Sequence, residues 1–150
     1  MATESEMAWA AGLFEGEGSI EVNHPPRSRS GVRLHLNTTD LDVLEKFAAV
    51  VRCGSIREVT APSIVRPHWK TCWSWRISTK DDCRRLLNAW LPYLGARRTA
   101  RAQEALQLLD AKEAALHKTC YCGKPFRAAH AWQRYCSHEH QVGARKVAAA

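Results

Sequence analysis

Two groups of residues in this 150-residue chain have the types and spacings that bind metals. The first lies in Trp9-Ala10-Ala11-Gly12-Leu13-Phe14-Glu15-Gly16-Glu17-Gly18-Ser19-Ile20, where two carboxylates stand among three glycines at the end of a small-residue helix face. Glycine inside a helix costs roughly 1 kcal/mol relative to alanine. Gly12 and Gly16 therefore imply helices packed backbone to backbone, with Glu15 and Glu17 at the end of the seam. Carboxylates held together there suit a hard cation such as Mg²⁺. The second group is Cys120-Tyr121-Cys122-Gly123 followed by Tyr135-Cys136-Ser137-His138-Glu139-His140. Cys136 and His140, at i and i+4, meet on one face of a short helix that Ser137 helps cap, and a tight glycine turn after Cys122 supplies two more thiolates. Four soft ligands of this kind suit tetrahedral Zn²⁺ in a closed, structural site. His130 and His138 are substitute ligands, and Trp132 is expected to pack against the knuckle.

The elements that must position these groups are readable from periodicity and caps. Thr3-Glu4-Ser5-Glu6 is a capping box that opens a first helix running to about Phe14 or Glu15. Ser19 to Asn23 reads as a strand, and 24–31 as a basic hairpin loop carrying Arg27 and Arg29. In Val32 to Asn37, Val32, Leu34 and Leu36 face one way and Arg33, His35 and Asn37 the other. A second helix starts near Thr39 or Asp40 with an apolar stripe of Leu41, Leu44, Phe47, Ala48 and Val51. Ser55 to Val59 is a third strand. Trp69 to Ile77 alternates again, with Trp69, Trp73, Trp75 and Ile77 toward the core and Lys70, Cys72, Ser74 and Arg76 outward. A third helix is capped at Ser78 or Thr79 and ends at Pro92. A long helix spans about Ala96 to His117, on which Ala100, Leu106, Leu109 and Leu116 can pack. The order is αββαββαα, an α+β arrangement in which two hairpins form a four-stranded antiparallel sheet.

One face of that sheet packs on helices. The other carries Arg33, His35, Asn37, Arg57, Lys70, Ser74 and Arg76, a donor-rich surface of the kind that enters a DNA major groove as a β-ribbon. The charge fits a nucleic-acid partner: net +7, pI about 9.3, with arginine supplying 15 of the 22 basic residues. Residues 1–23 hold five Glu and no Lys or Arg, an acidic spot on a basic body. Cys53, Cys72 and Cys83 stand apart and read as buried thiols. No apolar run approaches the ~18–20 residues of a membrane span, and the acidic N-terminus lacks a signal-peptide pattern. The chain is expected to be cytoplasmic, with no membrane partner.

Ala10 to Gly18 resembles the LAGLIDADG motif of homing endonucleases, with Trp9 and Ser19-Ile20 similar to its usual flanks. Thr39-Asp40-Leu41-Asp42-Val43-Leu44 through Cys53-Gly54-Ser55-Ile56 resembles that family's second helix and following turn. Leu91-Pro92-Tyr93-Leu94 with Arg97-Arg98 resembles its last core helix. The likeness covers roughly residues 7–110. It implies a homodimer, with Ala8, Gly12 and Gly16 in the seam, that grips double-stranded DNA with a saddle-shaped sheet. Such a dimer cuts a long pseudo-palindromic site with Mg²⁺, leaving short 3′ overhangs. It places Glu17 at the metal-binding carboxylate, with the Gly16 carbonyl beside it and Glu15 as a structural carboxylate. Arg97, with Arg98 second, matches the basic residue near the site, and Thr38 the water-positioning residue. The same fold serves non-cleaving DNA-binding regulators and RNA-binding splicing cofactors, which are the alternative readings.

The Cys/His segment resembles small zinc ribbons written CxxCGxxF…YCSxxC, with CxC at the first pair and His140 as the last ligand. Lys124 and Arg127, with Lys118 and Arg134 nearby, are expected to add DNA contacts. The expected organisation is an endonuclease domain over 1–117, a zinc-ribbon or treble-clef-like module over 118–141 and a small-residue tail over 142–150.

Overall fold

The computed structural model describes residues 2–23, 31–60 and 67–142. Arg27, Arg29 and residues 143–150 of the tail lie outside the described residues. In chain order the elements are α1 (Glu4–Glu17), β1 (Gly18–Val22), β2 (Val32–Thr38), α2 (Leu41–Val51), β3 (Ser55–Thr60), β4 (Cys72–Ile77) and α3 (Lys80–Trp90). A 3-10 turn (Leu91–Tyr93) follows, then α4 (Ala96–Ala114), β5 (His117–Thr119) and β6 (Pro125–Arg127). The chain divides into two compact units, Met1–Leu109 and Asp110–Ala150.

In the first unit β1–β4 form one antiparallel sheet in the order β1-β2-β4-β3. The alternation of β2 decides which face is buried. Val32, Leu34 and Leu36 are fully buried, and they share a core with Phe14, Leu44, Phe47, Trp75, Leu86 and Trp90 from the neighbouring elements. Phe14 stacks on Trp90 with ring centroids 4.7 Å apart, and Phe47 meets Trp75 edge-on at 5.0 Å. Such aromatic pairs add to the burial term a preference for one packing arrangement.

The capping box at Thr3 forms. The Thr3 hydroxyl accepts from the Glu6 amide and the Glu6 carboxylate accepts from the Thr3 amide. α1 passes through Gly16 and ends only at Glu17, two residues beyond the expected end, because the Gly18 amide still donates to the Phe14 carbonyl. Gly18 cannot carry a side chain: a Cβ there would lie 2.3 Å from the Phe14 ring. Because that ring is wedged against Trp90, Gly18→Ala is expected to destabilise the protein by about 1–3 kcal/mol, the cost of overpacking a filled core. Denaturant titration checks this; an unchanged midpoint would show that Phe14 yields freely.

Several expectations are corrected. β4 begins at Cys72, so Trp69 and Lys70 precede the strand, and Trp69 is 41% exposed rather than in the core. Ala100 is exposed; α4 buries Leu109 and packs Leu106 as expected, and adds Ala102 and Ala105, which with Leu109 are related by three- and four-residue steps. α4 ends at Ala114 and not His117, because His117–Thr119 pairs with Pro125–Arg127 as a second, two-stranded sheet. Cys83 is buried, whereas Cys53 and Cys72 are half-buried. Among the described residues no helix is long and apolar enough to cross a membrane.

Candidate nucleic-acid interface and metal centres

The open face of the four-stranded sheet follows from the register. Ser19, His35, Arg76 and Ser55 stand in one row across the strands, and Asn37, Ser74 and Arg57 in the next. Arg33, Arg57 and Arg76 line one groove of about 470 Å³ at the edge where β3 and β4 meet the start of α3. These side chains are not equivalent. Ser74 is fully buried and its hydroxyl accepts from Arg76 Nε at 2.9 Å. Expected as a surface contact, Ser74 instead holds the exposed arginine.

Glu21 also lies on this face, opposite Arg33, and was not singled out by sequence reasoning, although the alternation from Ser19 points to it. Its carboxylate lies 3.3 Å from both Arg33 Nη1 and His35 Nδ1. Desolvation pushes the His35 imidazole below its ordinary value and outweighs the pull of Glu21 upward, and Arg76 and Arg33 push it further down. His35 is therefore a neutral ring near pH 7. With Nδ1 turned to Glu21, it leaves Nε2 for another group.

At the C-terminal end of α1 the two acidic side chains part company. Glu15 is consumed within the protomer. Its carboxylate accepts from the Gly95 amide at 3.2 Å and lies 3.8 Å from Arg98 Nε, while its carbonyl accepts from that same nitrogen at 2.9 Å. The Arg98 guanidinium also lies over the Phe14 ring, 5.8 Å from its centroid. Glu17 is exposed and has no hydrogen-bond or ion-pair partner among the described residues. The Gly16 carbonyl is among the last four of the helix, which lack intrahelical donors and carry the negative end of the helix dipole. A free carboxylate beside such a carbonyl is an all-oxygen donor set of the kind that holds Mg²⁺ together with phosphate oxygens.

Arg97 is exposed and lines, with Arg101 and Ser19, a groove of about 410 Å³ at the start of α4. Thr38 ends β2, one step past Asn37 and two past Leu36, the partner of Gly18. Its hydroxyl accepts from the Asp40 amide at 3.1 Å, closing a local turn just before α2, whose N-cap position is Asp40. Gly12 and Gly16 are exposed on α1, and a Cβ at either would meet nothing within 4 Å. Ala8 on the same helix is half-buried. Nothing packed inside the protomer requires those glycines.

In the second unit the β5–β6 hairpin turns through Cys120–Lys124, closed by the Cys120 amide donating to the Lys124 carbonyl and the Gly123 amide to the Cys120 carbonyl. Gly123 takes φ +80°, a conformation that would strain any residue with a side chain. A helical turn begins at His138, and the Ser137 hydroxyl caps it by accepting from the His140 amide. These two pieces gather Cys120, Cys122, Cys136 and His140, with all four ligand atoms within 4.8 Å of one another. Cys120 Sγ lies 3.8 Å from His140 Nδ1, Cys122 Sγ 3.9 Å from Cys136 Sγ, and Cys136 Sγ 2.9 Å from His140 Nδ1. A tetrahedron of ~2.3 Å zinc–sulfur bonds has edges of about 3.8 Å, so the Cys₃His set can hold a metal such as zinc.

Desolvation pushes the Cys120 thiol up, but hydrogen bonds from the Cys122 and Cys136 amides outweigh it and hold the thiol down to about 6. Desolvation and the neighbouring Cys120 and Cys122 sulfurs push Cys136 up to about 11. Crowded thiolates without a cation repel one another, and a divalent ion would relieve that repulsion. His130 and His138 stand outside the cluster. Arg127 is paired in a fork with Glu113 at 2.7 and 3.3 Å and so offers little free charge, whereas Lys124 is exposed. Trp132, expected to pack on the knuckle, is 78% exposed.

No family model matches the chain, and no curated protein matches it significantly. Solved structures do. The homing endonuclease I-CvuI in complex with its target is 18% identical with a TM-score of 0.55, covering 71% of this chain and 67% of that one. The group I intron-encoded homing endonuclease I-CeuI complexed with DNA is 18% identical with a TM-score of 0.54, covering 73% of this chain and 56% of that one. The homing endonuclease I-TnaI is 16% identical with a TM-score of 0.55, covering 76% of each chain. The α+β arrangement around a four-stranded antiparallel sheet is thus the fold of the LAGLIDADG homing endonucleases.

Proposed function

We propose that the chain is a site-specific endonuclease that, as a homodimer with Mg²⁺, cuts both strands of a long pseudo-palindromic DNA site. The observation that carries this reading is the division of labour at the end of α1, where Glu15 is spent on Gly95 and Arg98 and Glu17 is left free. When bound, Mg²⁺ would lower the pKa of a water and neutralise charge developing on the phosphate. Glu17 and the Gly16 carbonyl would hold it. Arg98 and Gly95 would fix the helix end that presents them, and Arg97, always charged, would stabilise the phosphate rather than move a proton. Arg33, Arg57, Lys70 and Arg76 would grip the duplex, with His35 and Asn37 reading base edges. The Cys₃His site would take zinc as a structural ion, and Lys124 would add backbone contact.

A single protomer supplies one Glu17, and two strands need two. The exposed Gly12 and Gly16, each with open space where a Cβ would stand, and the half-buried Ala8 on the same helix support a seam with a second copy, which would place the two carboxylates on either side of a twofold axis. Gly12→Ala separates the two roles a glycine can have here. In an isolated protomer it fills open space and gains up to about 1 kcal/mol of helix stability. In a seam the added methyl holds two backbones apart. Sedimentation equilibrium is expected to show the wild type at twice 16.9 kDa and Gly12→Ala shifted toward monomer by about tenfold or more in dissociation constant, without loss of monomer stability. A wild-type monomer, with and without DNA, would remove the dimer from the account.

A non-cleaving DNA-binding regulator is the second reading. It is favoured by the Thr38 hydroxyl, which accepts from the Asp40 amide instead of standing free to position a water.

A further inference from the structure

Residues 129–135 form a loop whose backbone is pinned at almost every step. Lys118 Nζ donates to the carbonyls of both Ala131 and Gln133, the residues either side of Trp132. The Gln133 side chain accepts from the Ala129 amide at 2.8 Å and donates to the Tyr135 carbonyl at 2.9 Å, and the Gln133 amide donates to the His130 carbonyl at 3.0 Å. What these bonds hold out is an indole that is 78% exposed. One face of it is backed by the His130 ring, whose centroid lies 5.2 Å away at 16° to the indole plane. The other face is open. A large aromatic surface left in water on a rigid turn stabilises nothing in the protomer.

The surroundings indicate what would cover it. The groove of about 310 Å³ beside Trp132 sets the rings of Trp132 and Tyr135 among the polar side chains of Gln133, Ser137 and His138 and the guanidinium of Arg134, a largely apolar lining with one fixed cation. The unit holds seven Lys and Arg against three Asp and Glu in 110–150, so an anionic ligand with a flat apolar part fits best. Arg134 is exposed and, among the described residues, has no ion-pair partner.

We infer that Trp132, backed by His130, is a stacking platform for an unpaired nucleic-acid base, with Arg134 receiving the adjoining phosphate. Stacking of this kind is tolerant of sequence, because every base has a π face. Trp132 belongs to the second unit, Glu17 and the sheet to the first, and stacking at Trp132 does not depend on the chain cutting DNA.

The test uses the full zinc-loaded chain and a single-stranded DNA oligomer carrying one 2-aminopurine among thymines. The wild type is expected to bind it and quench its fluorescence. Trp132→Ala should weaken binding by about tenfold or more and abolish the quenching, and Trp132→Phe should keep most of both. Glu17→Gln should bind the strand as the wild type does, so a protein that fails to cut can still pass this test. Zinc content and far-UV circular dichroism establish that Trp132→Ala is folded. Equal binding and quenching by folded Trp132→Ala would overturn the inference. So would equal binding of a strand made abasic throughout, or loss of self-association in Trp132→Ala with strand binding intact.

Discussion

Glu17→Gln is expected to lose cutting of a selected duplex by about a thousandfold or more while binding that duplex with little change. The amide keeps the size of the side chain and removes the charge that a hard cation needs. Lewis-acid stabilisation of a phosphodiester transition state by a bound metal is worth several kcal/mol, and about 4 kcal/mol corresponds to a thousandfold in rate. Glu17 is exposed and without a partner among the described residues, so the change should leave the fold intact. Glu15→Gln provides the contrast. That carboxylate is bonded to the Gly95 amide and beside Arg98, so its loss should lower stability and reduce cutting only in proportion. Single-turnover cleavage beside a filter-binding titration separates the two cases. Equal cutting by Glu17→Gln and wild type would remove Glu17 from the metal site.

With the Cys₃His site holding zinc as proposed, removing the ion is expected to unfold the second unit. Its hairpin has three residues in each strand, and among the described residues of 110–142 the buried apolar side chains are Cys120 and Ala128. That is far too little apolar surface to offset the entropy of ordering the segment. Structural zinc commonly contributes an apparent ~10–16 kcal/mol in such modules, so the ion would supply nearly all of the stability. Hydrogen exchange should show the amides of Cys120 and Gly123, both bonded within the turn, losing protection on chelation while those of β2 and β4 keep theirs. Cys136→Ser should reproduce the effect without chelator. Unchanged protection after the metal is removed would show that the unit is held by something other than the ion.

Much of the fold is legible because it depends on local rules. The β2 alternation names its buried face, the Thr3 box starts α1, and Cys136, Ser137 and His140 announce a capped helical turn that brings a thiol and an imidazole together. In most places where the sequence is mute or misleading, the deciding contact comes from elsewhere in the chain; at Ser74 it comes from a side chain two residues on. Alternation runs on through Trp69, but pairing with β3 begins only at Cys72, so the tryptophan falls outside the strand. Nothing local distinguishes Glu15 from Glu17, since the donors that consume Glu15 stand at positions 95 and 98. Ser74 alternates as an outward residue yet is covered, its hydroxyl held by the Arg76 side chain. α4 stops short of His117 because a hairpin partner ten residues on takes the backbone. Trp132 would pack inward by composition alone, and Lys118 and Gln133 hold it out.

Whether this fold, with Glu17 free at the end of α1, cuts DNA is decided by incubating the zinc-loaded wild type with a randomised duplex library in Mg²⁺ and sequencing the ends produced. Mg²⁺-dependent double-strand breaks are expected that converge on one long pseudo-palindromic sequence and vanish with Glu17→Gln. Selective binding of duplexes with no breaks in any divalent metal would contradict this expectation and leave a DNA-binding protein on an endonuclease fold.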